Sequence, residues 1–252
     1  HGDQKIEATV NGESHSLAAR NELNVVLPLR GQRSLAVVTV RVDSPGLPAI
    51  ARTVWVHRVE TPIDAVTRTI GGLTVEAARD GSEVRLRRNG QLVASFAPLV
   101  HVGDTLPRLK LAQDAWPLQY AGDGLSVSLD ATGEGDLSVK IVSAQAAEGP
   151  VVRSYGPLEQ GLFAGVEYLG KGEHSSSTLD IETPEHLRFE PDPMKVTMPL
   201  MATVTDRASV AVAWDDMTLQ PVFAVPDFLD GTASHRLALK GKSIQAAIRI
   251  GD

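Results

Sequence analysis

The residue types best suited to chemistry gather between positions 156 and 216, where glycines, acids, a histidine and aromatics are densest. Glu167, Glu173 and His174 are the candidate catalytic groups. General acid–base work on a sugar needs two titratable side chains facing one another across a pocket, and these types can supply the pair. Glu173 and His174 are adjacent, so an extended strand would aim them at opposite faces; only a loop lets both line one site. Asp215 and Asp216 close an apolar run and could accept hydrogen bonds from hydroxyls or bind calcium, or simply form a solvated turn. The serines at 175–177 lack the Gly-x-Ser-x-Gly elbow of a serine hydrolase. No phosphate loop, dinucleotide fingerprint or His-Glu-x-x-His zinc motif is present.

A sugar also needs a flat apolar surface beside polar partners. Aromatic residues make up only 4% of the chain. Trp116 and Tyr120, near Asp114 and Asp123, form one candidate platform; Tyr168 and Trp214 lie in the acid-rich stretch. With Asp215 and Asp216 these complete the expected ligand-binding set. The alternative for each aromatic is burial in a β core. The turn carrying Asp130, Glu134 and Asp136 has oxygen ligands in calcium-like density without the EF-hand pattern, so calcium stays open and no other cofactor is expected. The N-terminal His1 has the amino group and ring that copper takes, but no further ligands can be assigned to it.

The elements that must position these groups read as short strands. KIEATV, LNVVLPL, SLAVVTVRV and ARTVWVHRV alternate or are rich in Val and Leu, and NGES, RGQR and DSPGLP punctuate them. His57 alternates with Trp55 on the last of these, which fits packing at a sheet surface. VETPIDAVTRTIGG reads as a link. DGS at 80–82 and Asn89-Gly90 then predict three antiparallel strands over about 73–98, with Arg85, Arg87 and Arg88 on a solvated face. LSVSLD pairs with LSVKIV across ATGEGD; KVTMPLMATVTD pairs with ASVAVAWDD across an Asp-Arg turn. SHRLALKG and SIQAAIRIGD are expected to form a closing hairpin across Gly241-Lys242. No stretch makes a long amphipathic helix.

Composition narrows the classes. The 252 residues are 42% hydrophobic and 22% charged, as a folded chain of one or two domains should be. Lys plus Arg is 24 and Asp plus Glu is 31, a net charge of −7. That balance disfavours nucleic acid and anionic membranes, which need a concentrated positive field. Cysteine is absent, which removes disulfides and thiolate chemistry. No apolar run reaches the roughly 20 residues of a membrane helix. The opening HGDQK is no translation start, so a removed leader or a fragment of a longer protein is expected.

The segment FAGVEYLGKGEHSSS, followed by strands ending in AWDD, resembles the galactose-mutarotase-like β-supersandwich found at the N-terminus of bacterial glycoside hydrolases and polysaccharide lyases. The resemblance covers about 65–252; residues 4–60 look like the immunoglobulin-type modules that accompany such enzymes. It implies an all-β protein: a small immunoglobulin-like sandwich over 1–62, then a larger antiparallel supersandwich over 63–252. Stand-alone mutarotases carry an Asn-His pattern and a late glutamate base, and neither arrangement is present. The resemblance therefore implies a non-catalytic accessory region of a secreted glycan-degrading enzyme, periplasmic or extracellular. Its partners would be carbohydrate and a catalytic domain outside this chain. The alternative is a sugar epimerase or lyase using Glu167 or Glu173 with His174.

Overall fold

The computed structural model describes residues 6–10, 13–17, 34–43, 49–133, 135–173, 188–224 and 235–251. Among them the regular structure is strand, apart from a 3-10 turn at Pro193–Lys195. The chain divides into two compact units, His1–Ile63 and Asp64–Asp252.

The described strands of the first unit are β1 (Ile6–Val10), β2 (Glu13–Leu17), β3 (Leu35–Asp43) and β4 (Ile50–His57). They form one antiparallel sheet in the order β2-β1-β3-β4. LNVVLPL lies outside the described residues. Trp55 and His57 share a face of β4, both half-buried.

The second unit is an all-antiparallel, sandwich-like arrangement. Its strands are β5 (Ala65–Ile70), β6 (Leu73–Ala78), β7 (Val84–Arg88), β8 (Gln91–Phe96), β9 (Lys110–Gln113), β10 (Leu118–Gly122), β11 (Leu125–Thr132), β12 (Asp136–Glu148), β13 (Val152–Ser154), β14 (Leu158–Phe163), β15 (Glu167–Gly170), β16 (Arg188–Phe189), β17 (Leu200–Thr205), β18 (Ser209–Ala213), β19 (Gln220–Ala224) and β20 (His235–Gly251). The expected pairs β6–β7–β8, β11–β12 and β17–β18 all form.

The closing hairpin does not. Residues 235–251 are one continuous strand of 17 residues. In its first half Leu237 pairs with Val152 of β13 on one side and Phe223 of β19 on the other. In its second half Ile248 pairs with Leu137 of β12 and Val212 of β18. Gly241 serves close approach rather than a turn, because a Cβ there would lie 2.5 Å from Leu219 Cδ2. The irregularity sits in the neighbour instead, as a register shift between Val142 and Ala147 of β12. Strand β20 thereby belongs to two layers. One runs β9-β10-β11-β12-β20-β18-β17-β14-β15, the other β16-β19-β20-β13-β8-β7-β6-β5.

Period-two alternation shows what the first layer buries. Along β20, Ile244, Ala246, Ile248 and Ile250 are buried while Gln245, Ala247 and Arg249 are exposed. Strand β12 alternates the same way through Leu137, Val139 and Ile141. These side chains join Leu86, Phe96, Phe223 and Leu237 of the other layer in one apolar core. The outer side of the first layer faces solvent.

Two further expectations change. AVTRTI is no link: it is β5, and Gly71 and Gly72, both at positive φ, turn it into β6. The arginines of β7 are not a solvated face either. Arg85 is 3% exposed and donates to the fully buried Glu83 carboxylate at 3.0 Å. Arg87 bonds Glu76, and Arg88 donates to the backbone carbonyls of Ile250 and Gly251.

Candidate sugar-binding face

Of the candidate catalytic groups, Glu167 lies on strand β15 and Glu173 just after it. Glu167 opens β15 opposite Phe163, half-buried and in the core-facing register. Glu173 lies in the turn after β15, where its Oε2 accepts the Gly170 N–H at 2.7 Å. That bond closes the turn and commits one carboxylate oxygen to the backbone. His174 and the serines at 175–177 lie outside the described residues.

The aromatics divide by burial. Tyr120 is a core residue at 1% exposure, so no ring face is open to a ligand. The reason is strand parity: Leu118 and Tyr120 share the inward side of β10, leaving Gln119 outside. Desolvation, with Asp80 adding to it, raises the Tyr120 phenol above the usual tyrosine range. Asp114 and Asp123, its expected polar partners, are held by Arg79 and by the Arg108 backbone N–H. Trp116 is half-buried, with the Arg68 guanidinium 5.4 Å from its ring centroid, so a cation covers a ring face. Tyr168 is 58% exposed on the outer register of β15, opposite Leu162.

Trp214 and Asp215 follow β18 directly. Trp214 is 6% exposed, and its indole N–H finds no acceptor among the described residues. Asp215 is exposed, without a side-chain partner among those residues. Asp216 is engaged: its carboxylate accepts the Thr218 N–H and hydroxyl at 2.9 and 2.7 Å. Those bonds hold it below the usual carboxylate range. No group of three or more His, Asp or Glu side chains gathers among the described residues.

What the strands assemble here is a depression of about 220 Å³ on the solvent side of the first layer. Ser138, Ala213, Trp214, Asp215, Gln245 and Ala247 line it. Cross-strand register explains the shape. Ala213 pairs with Leu200 and Ala247, Ala247 with Ser138, and Ser138 with Asp130, placing the short side chains of Ala213, Ala247 and Ser138 side by side across three strands. The row on one side carries Arg249 and Asp136, joined at 2.7 and 2.8 Å; the row on the other carries Gln245 and Lys140. Longer side chains thus flank a floor of alanine and serine.

The sequence reading found Trp214 and Asp215 but missed Ser138, Ala213, Gln245 and Ala247. Their only local signal is small or polar residues alternating with Val and Ile in SVAVA, DLSVKIV and SIQAAIRI. Which of them meet depends on pairing between segments distant in sequence, Ala213 with Ala247 and Ala247 with Ser138. Comparison with known proteins finds no family model that matches the chain and no curated relative.

Proposed function

We propose that this chain is a non-catalytic, carbohydrate-binding β-sandwich region of a larger secreted glycan-degrading enzyme, acting outside the cytoplasm. The observation that carries the reading is the depression on the outer sheet face. There an apolar floor meets a carboxylate, an amide and a hydroxyl with no other side-chain partners among the described residues. Apolar concavity with a few convergent polar groups is the usual form of a small-ligand site. A polyhydroxylated ring matches it, because each hydroxyl both donates and accepts. The galactose-mutarotase-like resemblance points the same way. No helix among the described residues is long and apolar enough to cross a membrane.

A calorimetric screen of neutral and acidic glycans, with and without calcium, tests this. Saturable binding to one sugar class, weakened in Asp215→Asn, is expected. Turnover of a glycan or epimerisation of a free sugar by this chain would overturn the non-catalytic reading. Absence of binding across the screen would overturn the carbohydrate reading.

A further inference from the structure

We propose that the ligand is a linear, neutral oligosaccharide laid across the strands rather than a single sugar. The inference rests on the carbohydrate reading above and specifies its ligand. The low floor runs across the strands through Ala213 of β18, Ala247 of β20 and Ser138 of β12, and ends against Leu200 of β17 and Asp130 of β11. Two strand spacings give a floor of roughly 10 Å, long enough for two rings in file.

Charge selects among extended ligands. Arg249 along one wall is paired in bidentate fashion with Asp136. At the β11 end, Arg68 lies 3.9 Å from Asp130. Lys140 and Asp215, the remaining flanking ions, are of opposite sign. No wall presents one sign alone, so neither a polyanionic uronan nor a polycation is matched, and a neutral chain is. The direct hydrogen-bonding groups are Ser138, Gln245 and Asp215. Trp214, mostly buried in the core, contributes to the lining at the same point.

The test is calorimetry with neutral glucans, mannans, xylans and galactans, each as a mono- to hexasaccharide series, on the wild type and on Ala247→Leu. Residue 247 points to solvent, so this change fills the trough without entering the core. The expected result is affinity that rises at least about tenfold from mono- to tetrasaccharide, which is about 1.4 kcal/mol. Ala247→Leu should lose about tenfold or more on the longer ligands at an unchanged melting temperature. Ala213→Leu is the second filling variant, used alone if Ala247→Leu melts early. Binding that ignores chain length, or survives both filled troughs, overturns this inference and leaves the carbohydrate reading standing. Failure of the wild type to bind any neutral series overturns this inference, and failure to bind acidic glycans as well overturns both.

Discussion

Strand β20 is the element shared by both layers, and Ile248 is the residue whose removal should show it. Ile248 is 1% exposed and paired with Leu137 and Val212 in the core. Ile248→Ala deletes three carbons, about 2.4 kcal/mol at about 0.8 kcal/mol each. The cavity left in a close-packed core adds to that, giving about 3 kcal/mol within the usual 2–5 for such a change. For a unit of this length the melting temperature should fall by about 6–12 °C. The neighbouring Ala247→Ser, on the solvent side, should stay within about 0.5 kcal/mol. Urea unfolding followed by fluorescence measures both, with equal m-values required for a fair comparison. If Ala247→Ser costs as much as Ile248→Ala, the faces of β20 are misassigned, and with them the trough.

Other consequences can be measured separately. Gly135 has φ +85°, and a Cβ there would sit 2.4 Å from the Ile250 carbonyl oxygen; Gly135→Ala should cost about 1–3 kcal/mol of backbone strain plus the clash, seen as a lower urea midpoint. Asp136 is held below the usual carboxylate range by its bond to Arg249. Its contribution is therefore complete above the unfolded value of about 3.9 and lost as pH falls below that through the folded value; carboxyl NMR should show Asp136 titrating at higher pH in Arg249→Ala. Burial raises the phenols of Tyr120 and Tyr155. Their stabilisation is complete below about pH 10 and fades as pH rises past it, so ultraviolet titration should show both ionising only above that point or on alkaline unfolding.

Much of the fold is written locally. Asp80-Gly81 and Asn89-Gly90 demand turns, and the flanking alternation fixes strands β6, β7 and β8. The misreadings each have a physical origin. Gly241-Lys242 looks like a turn because glycine serves both tight turns and close packing, and only the position of Leu219 decides between them. Arg85 looks solvated because its partner Glu83 is two residues away and the burial comes from distant segments. Tyr120 and Trp116 share a platform-like composition, yet parity on β10 sends one inward and Arg68 covers the other. The site was half legible. Trp214-Asp215 stands out by residue type, whereas the alanine floor acquires meaning only through the cross-strand register.

The most direct test of the central claim is amide chemical-shift mapping of the intact chain titrated with the tightest-binding neutral oligosaccharide. The account predicts saturable shifts centred on Ser138, Ala213, Asp215, Gln245 and Ala247, spreading along the row toward Leu200 and Asp130. Shifts confined to the β15 edge around Tyr168 and Glu173, or no saturable shift at all, would contradict it.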